Sequence, residues 1–259
     1  MQDFVTPKKS FGQHFLKDKN IAVKIVNSLT GYDNYADVIE VGPGMGVLSD
    51  IILSEEKFNW YGVEIDKESI SYLLQRYPTK SSNIIEADFL ALNFKQLSGL
   101  EKFAIIGNFP YNISTQIVFK VIENRNIVPE MVGMFQKEVA QRICSEPGSK
   151  VYGILSVLTQ AYYNVEYLFQ VNENVFNPPP KVKSAVIRLQ RKSQHSLPCD
   201  EKLFFSVVKS AFNQRRKTIR NSLKGININW EALPEGLHGE RPEQLGFETF
   251  FLITNAVIR

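Results

Sequence analysis

The sequence predicts an α/β fold: a mostly parallel sheet with an antiparallel last strand and helices on both faces, followed by a small all-helical C-terminal domain. Three observations predict it. Short apolar runs alternate with helical patterns through the first two-thirds of the chain. The first run ends in a glycine turn, Gly42-Pro43-Gly44-Met45-Gly46, that leads straight into a helical pattern. Beyond a polar, proline-containing stretch at 191–200, which reads as a linker, only helical spacing remains. A chain of 259 residues suits one large and one small domain, here divided as 1–194 and 195–259.

Taken in order, strands are expected over 38–41, 60–64, 83–87, 103–107, 131–135, 166–170 and 184–189. Helices are expected near 20–29, 47–55, 67–76, 114–123 and 152–163. The last two strands are joined by a proline-rich loop, Asn177-Pro178-Pro179-Pro180. That loop is too short for a crossover helix, so the pair is expected to be antiparallel. In the small domain Leu203, Phe204, Val207, Val208, Ala211 and Phe212 recur at helical spacing. A second helix is expected around 216–223 and a third over about 242–256, with Pro242 in its first turn and Glu243 beside it.

Composition narrows the class. Hydrophobic residues at 44% and charged residues at 22% are ordinary for a soluble globular chain. No apolar run reaches the length of a membrane span. Met1-Gln2-Asp3-Phe4 lacks the charged-then-apolar pattern of a signal peptide, so a cytoplasmic location is expected. Cys144 and Cys199 stand in no metal or redox spacing, and His14, His195 and His238 are scattered, so no metal is expected. Residues 181–224 hold twelve Lys and Arg against Asp200 and Glu201, whereas the remainder is net acidic. Such asymmetry suggests a polyanionic partner for the basic region.

The glycine turn defines a nucleoside site. Glycines let the backbone pass close to a ligand with no Cβ in the way. A dinucleotide-binding turn places its third glycine one residue later, where Val47 stands, and a phosphate-cradling loop needs a Gly-Lys-Ser/Thr that is absent. The pattern instead resembles the first motif of class I S-adenosylmethionine-dependent methyltransferases. The next strand ends Val63-Glu64-Ile65-Asp66. Glu64 is placed to accept both ribose hydroxyls, and Asp66 to cap the following helix. The third strand ends Glu86-Ala87-Asp88-Phe89, where Asp88 can accept an adenine amine and Phe89 can pack on the ring. Ligands of such sheets bind at the carboxyl ends of strands, so these groups should converge.

The apolar run at 103–107 leads into Asn108-Phe109-Pro110-Tyr111. This places an amide, a carbonyl freed from ladder pairing and an aromatic face at one strand end. Two acceptors and a ring can hold a planar exocyclic amine. Methyl transfer to an aromatic or amide nitrogen requires such a hold, because the delocalised lone pair must be turned toward the incoming carbon.

Five segments in this order carry a wider resemblance: Phe11-Gly12-Gln13-His14-Phe15-Leu16; Glu40-Val41-Gly42-Pro43-Gly44-Met45-Gly46; Asn108-Phe109-Pro110-Tyr111-Asn112-Ile113-Ser114; Phe176-Asn177-Pro178-Pro179-Pro180-Lys181-Val182 with Ser184-Ala185-Val186-Ile187-Arg188; and Phe212-Asn213-Gln214-Arg215-Arg216-Lys217-Thr218-Ile219-Arg220-Asn221. Over nearly the whole length they resemble the ribosomal RNA adenine N6-dimethyltransferases, above all the small-subunit type. The resemblance implies a Rossmann-like class I methyltransferase sheet. It implies that Gln13, His14, Leu16, Gly42, Gly44, Glu64, Asp88 and Asn108 contact S-adenosylmethionine. Asn108 and the Pro110 carbonyl would accept from the target amine, and Tyr111 and Phe176 would stack on the flipped base. Arg215, Arg216, Lys217 and Arg220, read as lying within two helical turns, would hold RNA phosphates. The implied product is N6,N6-dimethyladenosine at two adjacent adenosines of the 3′-terminal hairpin of 16S rRNA. The implied substrate is the small subunit or its precursor, with a role in subunit biogenesis, and the chain would act as a monomer.

Three rivals share parts of this pattern. A 23S rRNA adenine N6-methyltransferase of the macrolide-resistance type shares the nucleotide and Asn-x-Pro-Tyr motifs, but the Arg215–Asn221 run and the proline-rich loop favour the small-subunit type. A protein-glutamine methyltransferase carries Asn-Pro-Pro-Tyr, where this chain has Phe109. An RNA-binding ribosome-assembly factor would keep its role after methylation is lost.

Overall fold

The structure, a computed structural model, describes residues 5–8, 11–94, 97, 99–194 and 196–258. The stretch 1–4, read above for a leader signal, and His195 lie outside the described residues. Among the described residues no helix is long and apolar enough to cross a membrane.

The chain divides into two compact units, residues 1–140 with 166–191 and residues 141–165 with 192–259. A reading along the sequence places 141–165 with the sheet, yet they group with the C-terminal helices.

The first unit is built on a sheet whose strands are β2 (Asp37–Val41), β3 (Asn59–Glu64), β4 (Ile84–Glu86), β5 (Phe103–Asn108), β6 (Glu130–Gln136), β7 (Tyr163–Val171) and β9 (Ser184–Arg191). Their spatial order is β4-β3-β2-β5-β6-β9-β7. The pairs β3/β4, β2/β3, β2/β5 and β5/β6 are parallel, and β9 runs antiparallel to β6. The run Phe103-Ala104-Ile105-Ile106 is fully buried, as parallel strands covered on both faces require. A second, two-stranded sheet pairs β1 (Phe15–Leu16) with β8 (Phe176–Asn177).

Helices α1 (Lys19–Val26), α2 (Val47–Glu55), α3 (Lys67–Arg76), α4 (Ser114–Glu123) and α5 (Lys137–Cys144) follow strands β1, β2, β3, β5 and β6 in the chain. Asp18 and Asp66 accept backbone N–H bonds at the starts of α1 and α3, satisfying donors that have no partner within the helix. The strand order reverses between β2 and β5, which is where a sheet of this kind opens a crevice at its carboxyl edge.

The second unit contains α6 (Ile154–Tyr162), α7 (Glu201–Asn213), α8 (Ile219–Ser222) and α9 (Phe247–Asn255). Phe204, Val207, Val208 and Ala211 of α7 are buried, as are Val157 and Leu158 of α6 and Phe250 and Ile253 of α9. Two expected helices are substantially reduced or divided. Residues 214–217 form a turn, so the helix expected over 216–223 is reduced to α8. The helix expected over 242–256 is a 3-10 turn at Pro242–Gln244 and then α9, parted by Leu245 and Gly246. Three elements have no counterpart in the sequence reading. The two-residue strands β1 and β8 are too short to show a period, and α5 is a short helix, half of its residues polar, with Ala140 and Ile143 buried.

Candidate active site

The turn after β2 is left-handed three times, at Gly42 (φ +66°), Gly44 (φ +57°) and Gly46 (φ +77°). Conformation alone favours glycine there, and packing adds a second reason at two positions. A Cβ on Gly44 would lie 2.8 Å from Phe15 Cε1, and one on Gly46 would lie 2.4 Å from Tyr77 Oη. Tyr77 Oη stands 3.1 Å from the Gly46 carbonyl oxygen and 2.6 Å from Asp50 Oδ1, so the ring braces the turn. Beneath it Glu40 is buried and accepts from Ser49 Oγ at 2.6 Å and Trp60 Nε1 at 2.8 Å. Burial pushes the Glu40 carboxyl up to about 7, against those two bonds.

Glu64, at the end of β3, is only 5% exposed. Its Oε2 accepts from Gly44 N at 3.0 Å, and its Oε1 accepts from Ile65 N at 2.9 Å and Asp66 N at 3.0 Å. The carboxylate therefore ties the glycine turn to the neighbouring strand end. Burial raises its pKa, and the three N–H donors oppose the rise. A carboxylate offers about four acceptor sites, so these three backbone bonds leave one, on Oε2, for a further donor. Asp66 caps α3 and also accepts from Gln13 Nε2 at 3.3 Å and from Lys8.

The turn after β5 rests on a slot without side chains. Gly107 and Gly133 are register partners in β5 and β6. A Cβ on either would come within 2.7 Å or 2.2 Å of the Phe109 ring. Phe109 fills this slot, with its ring edge-on to Phe135 at 5.2 Å. Asn108 is thereby held at the strand end, where its Nδ2 donates to the His14 carbonyl at 2.8 Å. With the nitrogen so engaged, Oδ1 is the amide's remaining acceptor. The Pro110 carbonyl accepts from Ile113 N at 3.2 Å and keeps a second lone pair. Tyr111 Oη lies 2.6 Å from Ser184 Oγ, and its ring stacks on His14 at 5.6 Å. Burial raises the Tyr111 pKa, so the phenol stays protonated. His14 Nδ1 lies 2.7 Å from the Pro178 carbonyl oxygen, an acceptor only, so Nδ1 carries the proton.

Gln13, His14, Gly42, Gly44, Glu64, Asn108, Pro110 and Tyr111 line one cavity. Asp88 is not among its walls, but Ala87 and Phe89 on either side are, and Asp88 Oδ1 accepts from Leu90 N at 2.9 Å. Leu16 and Phe176 are not walls either. They face each other across β1 and β8, and Phe176 is 0% exposed, so the ring expected on the base lies in the apolar core. The cavity also takes Phe15, Ile65 and Ile113, apolar neighbours of predicted residues that the sequence reading leaves unassigned. Their signal is adjacency to a strand end or a turn.

No lysine or arginine lines this cavity among the described residues. Apolar walls with an acidic acceptor and an amide fit an uncharged or cationic nucleoside such as S-adenosylmethionine. Among the described residues no group of three or more His, Cys, Asp and Glu could hold a metal ion.

In the second unit, Arg215, Arg216 and Lys217 belong to the turn between α7 and α8, and only Arg220 is helical. This corrects the expectation of one helical face. Arg216, Lys217 and Arg220 are exposed. Arg215 is half-buried and donates to the Lys150 carbonyl at 2.6 Å, with Nε 3.7 Å from Glu243.

A family model described as ribosomal RNA adenine dimethylase matches residues 5–235. The chain is 55% identical to the ribosomal RNA small subunit methyltransferase A of Flavobacterium johnsoniae, covering 98% of this chain and 96% of that protein. It is 53% identical to the protein of the same name from Cytophaga hutchinsonii, covering 97% of each. Among solved structures, a dimethyladenosine transferase from Plasmodium falciparum superposes with a TM-score of 0.75 at 25% identity, over 93% of this chain and 96% of that one. The 23S rRNA methyltransferase ErmE superposes with a TM-score of 0.69 at 25% identity, over 93% and 99%. Both superpose over nearly all of the fold, so backbone shape alone separates the two substrate types poorly; the much higher identity to small-subunit relatives separates them well.

Proposed function

This chain belongs to the ribosomal RNA adenine dimethylase family, and on that premise we propose that it methylates N6 of two adjacent adenosines in the 3′-terminal hairpin of 16S rRNA, forming N6,N6-dimethyladenosine. The observation that carries this reading is the amide of Asn108, fixed through Nδ2 to the His14 carbonyl at the same sheet edge as the glycine turn and Glu64.

S-adenosylmethionine supplies an activated methyl group on a sulfonium. Glu64 Oε2 accepts from its ribose, Asp88 accepts from its adenine amine, and the Gly42 and Gly44 backbone lets it lie close. The target base must leave its helix to reach the site. In the first transfer Asn108 Oδ1 and the Pro110 carbonyl accept the two amine hydrogens, which turns the nitrogen lone pair out of the ring plane and toward the donor. One N–H proton is released to solvent at each transfer, and the monomethylated amine keeps a single hydrogen for these acceptors. Tyr111 stacks on the base, a contact worth about 1–3 kcal/mol. No side-chain nucleophile is required, and alignment at near-contact distance supplies much of the rate. Arg216, Lys217 and Arg220 hold RNA phosphates, and the charge reversals Arg216→Glu and Lys217→Glu are expected to weaken RNA association without lowering cofactor affinity. Of the two expected rings, Tyr111 lines the cavity, whereas Phe176 is buried in the core.

We place the reaction in the cytoplasm, on the small ribosomal subunit or its precursor, carried out by a monomer as a step of subunit biogenesis. The test is incubation with labelled S-adenosylmethionine and unmethylated small subunits, followed by nucleoside analysis. N6,N6-dimethyladenosine at adjacent positions of 16S rRNA is the expected result. No label on small subunits, with label entering 23S rRNA when unmethylated large subunits are supplied in a parallel incubation, would instead support the macrolide-resistance reading.

A further inference from the structure

Lys120 lies on α4, the helix that begins directly after the Asn108–Tyr111 turn. Its ammonium is directed inward. Nζ donates to the Leu90 carbonyl at 2.8 Å and to the Leu92 carbonyl at 2.6 Å. It also sits 4.9 Å from the Phe94 ring centroid and 5.7 Å from that of Phe89. Burial lowers its pKa, while Glu123 and Asp88 act the other way. A half-buried cation with two carbonyl acceptors and two ring faces is well compensated for lost water.

The residues it grips matter for the cavity. The Leu90 peptide is held from both sides: its N–H by Asp88 Oδ1 at 2.9 Å and its C=O by Lys120. The Ala91 and Leu92 N–H groups bond the Asp88 carbonyl. Phe89, between them, is a cavity wall.

We propose that Lys120 is a positioning residue for the adenine end of the cofactor site, clamping the 88–92 segment so that Asp88 and Phe89 are fixed against the purine. The proposal rests on the reading of the cavity as an S-adenosylmethionine site. Through this clamp the helix that follows the methyl-acceptor turn also sets the base specificity of the donor site.

The test compares binding of S-adenosylhomocysteine with that of its inosine analogue, S-inosylhomocysteine, by calorimetry. The analogue replaces the adenine amine with a carbonyl that Asp88 cannot accept from. Wild-type protein is expected to prefer the adenine compound. Lys120→Met should weaken S-adenosylhomocysteine binding about 10-fold, and narrow the preference by a similar factor, because a site built around a hydrogen-bond donor discriminates only while its acceptor is fixed. Lys120→Arg, which retains charge and donors, should recover most of the preference. A Lys120→Met protein that melts earlier yet binds both compounds as the wild type does would reduce Lys120 to a stabilising residue and overturn the proposal. Should that variant not fold, Lys120→Gln carries the same reading, and wild-type preference there overturns it equally. If wild-type protein binds neither compound, the cofactor reading fails first and takes the Lys120 role with it. Binding of both compounds with no preference would leave the cofactor reading standing and overturn the clamp alone.

Discussion

The turns after β2 and β5 close the same cavity and are built as inverses of each other. In the first, Gly42 and Gly44 line the cavity, and rings pack against the turn glycines: Phe15, itself a wall, against Gly44 and Tyr77 against Gly46. In the second, Asn108, Pro110 and Tyr111 line the cavity and the glycines do not, with Gly107 and Gly133 forming the slot for Phe109. What lies beneath also differs, a buried carboxylate at Glu40 in one case and the Phe109–Phe135 ring pair in the other. A backbone that must approach a ligand needs its Cβ atoms removed at the turn itself. A side chain that must hold one angle needs the space cleared one layer below, so that an anchor can be driven in. On the proposed function, the first arrangement would serve binding and the second chemistry.

That division can be broken most directly at Asn108. Asn108→Ala is expected to lower single-turnover methylation by about 10²–10³-fold, the scale seen when one positioned polar group is removed from an active site. Calorimetry should show a smaller loss in cofactor affinity. A larger loss in affinity than in rate would reassign the second turn to binding.

The contrast beneath the turns is tested by pH. The Glu40 carboxyl is raised from 4.5 to about 7, so its folded form holds a proton that the unfolded chain has already lost. The stability this contributes is fully present below about 4.5 and disappears as pH rises through about 7. At 1.36 kcal/mol per pH unit, the span corresponds to about 3 kcal/mol. Denaturant melts of wild type and Glu40→Gln at pH 5 and pH 8 should therefore diverge, with the wild type losing ground at the higher pH. Parallel curves would mean that Glu40 does not titrate in this window.

The slot comes next. Gly133→Ala places a methyl 2.2 Å from Phe109, and overpacking of this kind costs about 1–3 kcal/mol. Combining it with Phe109→Leu should recover part of that loss, and additive losses would show that the glycine is not there for the ring.

A loss of similar size is expected at Gly46→Ala. A left-handed φ costs an L-residue roughly 1–2 kcal/mol, and the Tyr77 hydroxyl at 2.4 Å adds a clash. Tyr77→Phe in the same chain should relieve the clash while the backbone cost persists. Complete recovery in thermal melts would make packing, and not φ, the reason for this glycine.

Much of this construction is legible in the sequence because it is local. Helices over 47–55, 67–76 and 114–123 are read to the residue, since their caps and periodicity lie within a few positions of each end. The strand ends that carry Gly42, Glu64 and Asn108 are visible as apolar runs followed by residues with turn or acceptor chemistry. Glu64 illustrates the limit. Its residue type suggests a ribose acceptor, but its bond to Gly44 N joins two strand ends and leaves a single acceptor site on the carboxylate for the ligand. Phe176 shows a further limit: a motif can name a ring without saying which way it packs.

By itself, then, the sequence determined the element types of the sheet, the edge where ligand groups gather and the chemistry those groups offer. Turn conformation, hydrophobic period and side-chain type act over a handful of residues, and those signals survive in one dimension. Only the tertiary structure decided which ring backs which glycine, that 141–165 leave the first unit for the second, that the basic cluster occupies a turn, and that Lys120 reaches the 88–92 segment. Each of these depends on sheet register and on packing between segments far apart in the chain, and short-range signals do not encode such distances.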